Sequence, residues 1–315
     1  MKKMIPSLSC VVAVCMLFAA CSKEIKTNLQ DTIATNLQIQ SDDQSRVAAE
    51  VDGVADDANV ILNHPDFASY GMNTPVGSSS INNAICDATV SIDTSGTMRS
   101  ITVVYNGGNC GFNRIRTGTV VISMAKGVQW GNAGAEITVN FNNVKVKRVS
   151  DNKSLTLNGT QTITNTSGGR LINLPQGITI THTINSSNMS LTFDNGMQRT
   201  WQVAKQRVFT YSNGVVVTAT GLHSDGTHDG IAEWGNNRFG IPFASAVTQP
   251  IVVKQDCSFR VVSGQVTHYR ADITTSATFG LDASGNATTC PGTGKYYLKL
   301  VWSDNVKSYT VILPY

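Results

Sequence analysis

The sequence carries little charge. Only 14% of its 315 residues are Asp, Glu, Lys or Arg, against about 25% in an average soluble protein. The two signs nearly balance, so the chain lacks the basic excess that nucleic acid or an anionic bilayer surface attracts. Glutamate is scarcest, with Glu24, Glu50, Glu136 and Glu233 as the whole set. Beyond residue 80 only Glu136 and Glu233 remain, and most aspartates there sit in turn sequences such as "FDNG" and "LDASG". That leaves few candidates for the facing carboxylates of a glycosidase. A G-x-S-x-G elbow and a Gly-rich phosphate loop with its lysine are both missing. No C-x-x-C spacing occurs, which argues against a zinc centre built on cysteines. No βαβ alternation appears, which excludes a doubly wound parallel sheet. After the first two dozen residues, no apolar run is long enough to span a bilayer as a helix.

What is present begins with "MKKMIPSLSCVVAVCMLFAACSKE". Lys2 and Lys3 precede a short apolar stretch from Ile5 to Phe18, then Ala19, Ala20 and Cys21. A positive start, a short apolar core and small residues make the pattern of a secretory signal. "LFAAC" resembles a bacterial lipoprotein lipobox, with Phe18 where Leu is commoner. The resemblance implies that residues 1–20 are a signal peptide and that Cys21 becomes a lipidated N-terminus. The membrane is then a partner through acyl chains, each buried methylene contributing about 0.8 kcal/mol. Ser22 after the cysteine, by analogy with lipoprotein sorting, implies the outer membrane and leaves open whether the periplasmic or the surface side. Loss of Lys2 and Lys3 lowers the 24 basic residues by two, against 21 acidic ones, so the mature chain is close to neutral.

Seven cysteines occur. Cys10 and Cys15 leave with the signal and Cys21 takes the lipid. Four remain, and an even count in an exported chain predicts disulfides, in one of three connectivities. The local pairs Cys86–Cys110 and Cys257–Cys290 are the expected ones. No cofactor is expected.

Residues 21–40 read as a polar tether. Residues 41–64 read as an amphipathic helix over about 42–62. Ser41 and Gln44 form a capping box, and Asp42 and Asp43 suit the positive end of the helix dipole. Val47, Val51, Val54, Ala58 and Ile61 make one apolar stripe, expected to dock on the remaining body. The acidic outer face is expected to be solvated. From residue 80 to 315 the period becomes two, as in "SLTLNGTQTI" and "GVVVTATG", which predicts antiparallel strands with one polar face. Asp194-Asn195-Gly196 and Asn213-Gly214 are hairpin-turn signals. The fold class is therefore mainly β, a large antiparallel sheet, sandwich-like or curved, with one N-terminal amphipathic helix. Segments 86–124 and 257–302 share an order of cysteine, strand, turn, strand, turn and cysteine, and read as related modules flanking a hairpin-rich middle.

The acidic helix, "ITVVYNGGNCGFNRIRTGTVVISM", "TVNFNNVKVKRV" and the closing "CSFRVVSGQV" segment together resemble a group of uncharacterised Bacteroidota lipoproteins. That resemblance implies an exported, lipid-anchored, β-rich protein, and it implies no activity.

The densest cluster of metal-competent side chains is "HSDGTHDG". His223, Asp225, His228 and Asp229 are its candidate ligands. The histidines are five apart in a Gly-rich segment, not four apart on a helix face, and the acids do not match a calcium loop. A turn using Asp and Gly for its geometry is the competing reading. Glu233 beside Trp234 is the pair that suits a sugar, the ring stacking and the carboxylate accepting hydroxyl hydrogens. His182 is expected to face outward. Lys205 with Arg207, and Lys145 with Lys147, are expected on exposed strand faces. No catalytic residue is assigned. Three function classes stay open: a non-enzymatic binding or structural module, a carrier or chaperone holding an amphiphile in a curved sheet, and a carbohydrate-active enzyme. Glycan, lipid or protein partners all remain possible at this point.

Overall fold

Alternation decides the architecture. In the stretch from Ala135 to Phe141, Ala135, Ile137, Val139 and Phe141 are buried while Glu136 and Asn140 are exposed. Side chains on a strand point alternately to two faces, so such a segment buries one face only. A computed structural model describes residues 85–315 apart from 109, 111–113, 289, 291–294 and 304–307, together with seven helical positions between 50 and 61. The expected signal peptide, Cys21, the tether and the start of the helix lie outside the described residues.

Fourteen strands form one antiparallel sheet: β1 (Ala88–Asp93), β2 (Met98–Asn106), β3 (Arg114–Ala125), β4 (Ala135–Arg148), β5 (Ser154–Asn165), β6 (Ile180–Phe193), β7 (Gln198–Tyr211), β8 (Val215–Gly221), β9 (Ile231–Asn236), β10 (Pro242–Lys254), β11 (Arg260–Tyr269), β12 (Thr274–Leu281), β13 (Tyr297–Ser303) and β14 (Ser308–Pro314). Neighbours in sequence are neighbours in space, with one exception. β8 and β9 share a single lane between β7 and β10. The predicted turns at Asp194-Asn195-Gly196 and Asn213-Gly214 connect β6 to β7 and β7 to β8, and Asn213 takes a φ of 55°.

One face of the sheet is dry. Ile101, Val139, Leu157 and Leu191 are fully buried. A lone flat sheet would leave that face wet, so the sheet curls over its own inner surface. The devices for curling are bulges. Pairing of β3 with β4 shifts register between Thr117 and Thr119, and pairing of β5 with β6 shifts between Asn158 and Thr162. Glycine faces each bulge. A Cβ on Gly118 would overlap the carbonyl oxygen of Asn143 and lie 2.8 Å from the Cα of Val144, and φ there is 104°. Gly127, with φ 87°, has nothing within 4 Å of such a Cβ. Gly118→Ala is therefore expected to lose about 1–3 kcal/mol to strain, with a further steric loss that Gly127→Ala does not suffer. Urea titration of both variants reads the difference, and equal losses would deny Gly118 its role in the bend.

The N-terminal stripe docks as expected. Val51, Val54, Ala58 and Ile61 are buried in one cluster with Val90, Ile101 and Val103. The acidic face of that helix is not simply solvated. Glu50 accepts a bond from Arg114 at 2.9 Å, and Asp57 accepts one from Arg116 at 2.7 Å. Cys86 pairs with Cys110 and Cys257 with Cys290, with Cα–Cα separations of 6.0 and 5.8 Å. Each disulfide brackets a hairpin, β1–β2 in the first case and β11–β12 in the second. No helix among the described residues is long and apolar enough to cross a membrane.

Candidate functional site

Two irregularities flank β7 on the outer face of the sheet. On one side β6 bulges. Ser186 pairs with Val203 and Met189 with Trp201, so Ser187 and Asn188 together oppose the single residue Gln202. The bulge is held by side chains: Ser186 Oγ donates to the carbonyl of Thr160 at 2.5 Å, and Asn188 Oδ1 accepts from the Thr160 N–H at 3.0 Å. On the other side the chain leaves the sheet at Gly221 and rejoins it at Ile231. The neck of this excursion is tight, because a Cβ on Gly221 would overlap the carbonyl of Gly230. His223 and Ile231 exchange backbone bonds of 3.0 and 2.8 Å across it. Between the two rises lies the short side chain of Ala204, paired in register with Asn185.

The result is a groove of about 720 Å³, open to solvent rather than enclosed. Thr160, Thr162, Asn185 and the β6 bulge supply hydroxyls and amides on one side, and His223 and Trp234 form the wall on the other. The two rings are parallel, with centroids 3.9 Å apart and planes 15° from each other. Among the described residues, no acidic side chain, lysine or arginine lines the groove.

Of the four candidate metal ligands, His228 Nδ1 and Asp225 Oδ2 lie 3.2 Å apart, but no three of them gather. His223 is stacked on Trp234 and His228 on Tyr269, where the centroids are 3.8 Å apart. Asp225 accepts from the backbone N–H groups of His228 at 2.7 Å and Thr227 at 2.8 Å, and these bonds hold its carboxyl down at about 2. Asp229 is exposed. Among the described residues, the one grouping of three potential ligands is Asp256 with Cys257 and Cys290, which is the second disulfide itself. The turn reading holds locally, since Asp225 accepts from the Thr227 and His228 N–H groups and Gly226 takes a φ of 85°. The segment as a whole is an excursion out of one continuous lane, closed by the His223–Ile231 bridge and stacked on Trp234 and Tyr269 through its two imidazoles.

Glu233 and Trp234 do not form a sugar-binding pair. Adjacent residues on a strand point to opposite faces. Trp234 looks out into the groove, while Glu233 is buried on the inner face, 3.2 Å from Arg199 and 2.5 Å from Lys205. Arg199 in turn lies over the ring of Phe243 at 4.4 Å. Arg207 is also buried and inward, contrary to the exposed face expected for it with Lys205, whereas Lys145 and Lys147 are exposed as expected. His182 is buried between the rings of Trp130 and Phe209, each with its centroid 5.0 Å away. Burial, aided by the nearby Arg207 cation, pushes its imidazole down to about 3.

Ser245 Oγ and His268 Nδ1 lie 2.8 Å apart, a nucleophile–base spacing. Ser245 is buried, however, and its register partner is Glu233, so it belongs to the inner face and not to the groove.

The groove's polar side was missed in the sequence although a signal existed. Ile180 and Ile184 share one parity, and Met189, Leu191 and Phe193 share the other. The break falls within "NSSN" and marks the bulge. Comparison with models of known protein families, with curated proteins and with solved structures finds no match for this chain.

Proposed function

We propose that the protein is a lipid-anchored component of the bacterial outer membrane whose β-body is a non-enzymatic binding module. The ligand is taken in the groove between the β6 bulge and the 222–230 excursion. The observation that carries this reading is the groove itself, where an aromatic wall faces a bed of neutral hydrogen-bonding side chains. Sites of this kind lie in clefts of about 300–1,000 Å³ with a few placed polar groups. A carrier of amphiphiles draws less support, because it needs an open apolar hollow and the inner face is packed with residues such as Val139, Leu157 and Leu191 that have no exposed surface. A glycosidase draws less support because no carboxylate among the described residues lines the groove to serve as acid or nucleophile.

Anchoring and binding are tested separately. The N-terminal peptide of the membrane-extracted protein is expected to begin at Cys21 with acyl mass on it, and Cys21→Ala is expected to leave the membrane fraction. An unacylated Cys21 in membrane-bound protein overturns the anchor. For binding, chemical shifts of the detergent-solubilised protein are mapped against neutral oligosaccharides, anionic oligosaccharides, phospholipid vesicles and extended peptides. Shifts centred on Thr160, Thr162, Asn185 and Trp234 are expected with one of these classes. Shifts confined to other surfaces, or none, overturn the groove as the site.

A further inference from the structure

We infer that the ligand of the groove is an uncharged oligosaccharide, bound and not cleaved. This inference rests on the groove being the binding site. The lining matches the chemistry of a sugar. A pyranose presents a rim of hydroxyls, each both donor and acceptor, around a flat patch of C–H bonds. Thr160, Thr162 and Ser187 carry hydroxyls of the same dual character, Asn185 adds an amide with separate donor and acceptor atoms, and Asn188, whose Oδ1 holds the bulge, adds its amide donor. The half-buried indole of Trp234 supplies an apolar surface for the C–H patch. His223 already covers one face of the indole at 3.9 Å, so the sugar takes the part of Trp234 that lines the groove.

The other ligand classes fit less well. An anionic glycan or a phosphate-bearing headgroup finds no lysine or arginine among the described residues of the lining. An acyl chain finds little apolar surface beyond Ala204 and Trp234, since Val203 is buried on the inner face. An extended peptide binds a sheet by pairing with an edge, and β5, β6 and β7 are all interior lanes whose ladders are occupied. An open groove, unlike a closed pocket, admits internal units of a longer chain. Without a carboxylate in the lining, nothing protonates a glycosidic oxygen or attacks the anomeric carbon.

The test is titration calorimetry on the full detergent-solubilised protein. The probes are neutral gluco-, manno- and xylo-oligosaccharides, an oligogalacturonate as the anionic counterpart, and vesicles of phosphatidylethanolamine with phosphatidylglycerol. At least one neutral probe is expected to bind, with an affinity unchanged by added salt because no ion pair is formed. Trp234→Ala is expected to weaken it roughly tenfold or more, while Trp234→Phe keeps a ring and most of the binding. Thermal unfolding at the wild-type temperature shows that Trp234→Ala is folded. The probe is expected to be recovered intact, and a shortened product overturns the non-hydrolytic part. Oligogalacturonate or vesicle binding that shifts groove resonances overturns the sugar class but leaves the groove as the site. Neutral-sugar binding untouched in Trp234→Ala, or a panel in which no probe touches the groove, overturns this inference, and the groove reading falls with it when extended peptides leave the groove resonances unshifted as well.

Discussion

Between pH 7 and pH 5 the folded protein is expected to lose about 3–4 kcal/mol of stability. The source is two imidazoles held neutral inside the sheet. His182 sits between Trp130 and Phe209 with the Arg207 cation nearby, and burial puts it at about 3. His268 stacks on Phe243 beside Ser245, and burial, followed by the cations of Arg199 and Arg270, puts it at about 3 as well. In the unfolded chain both titrate near 6.5. Each folded-state value is depressed, so the unfolded state takes up protons first as the pH falls. Stability is therefore full above about pH 6.5 and declines toward pH 3, by about 1.4 kcal/mol per unit for each histidine. His182 accounts for about 2 kcal/mol by pH 5. His268, whose residue surface is only partly covered, accounts for somewhat less. Urea titrations at pH 7, 6 and 5 read the slope. His182→Phe is expected to remove about half of it, because Phe fits an aromatic surround and the His182 Nε2 has no hydrogen-bond partner to lose. A wild-type stability that stays flat from pH 7 to 5 would rule the account out.

The position of His182 was readable in the sequence and was nevertheless misread there. In "GITITHTI" it shares its parity with Ile180 and Ile184, the two buried isoleucines. A polar residue on an apolar parity belongs to the inner face, whatever its type suggests. The same rule separates Glu233 from Trp234, since neighbours in a strand cannot serve one ligand on one face. The class of fold, the docking stripe of the helix, the two disulfides and the hairpin turns all follow from local periodicity and spacing. The groove does not. Its parts come from residue 160 to residue 234, brought together because β6 bulges on one flank of β7 and the chain detours on the other. The bulge leaves a trace as a broken period. The detour leaves none, because "GLHSDGTHDGI" has the composition of an ordinary turn, and only the pairing of β8 and β9 with the same two partners reveals one interrupted lane. The ion pairs that fasten the helix were equally hidden, since Asp57 and Arg116 are 59 residues apart.

Those ion pairs carry the largest single-substitution effect expected in this protein. Arg116 is buried and holds two carboxylates at once. Its Nε and Nη2 bind Asp87 at 2.7 and 2.6 Å, and its Nη1 binds Asp57 at 2.7 Å. The guanidinium lies 4.2 Å over the ring of Tyr105, whose hydroxyl donates to Asp57 at 2.7 Å. Burial raises the Asp57 carboxyl above its ordinary value, and the Arg116 charge opposes that rise. Arg116→Ala leaves Asp57 and Asp87 buried beside each other without a counter-charge, an expected loss of about 3–5 kcal/mol. Arg114→Ala removes the more accessible pair to Glu50 and is expected to cost no more than about 1 kcal/mol. Arg116→Lys keeps the charge but not the fork that meets Asp87 with two bonds, so it should fall between the two. Denaturant unfolding ranks the three, and Arg116→Ala within about 1 kcal/mol of wild type would contradict the ranking. Hydrogen exchange adds a spatial readout. Because Asp57 belongs to the helix and Asp87 to the turn before β1, amides near Val54 and Ala58 are expected to lose protection before those of Val139 and Leu157 in the centre of the sheet.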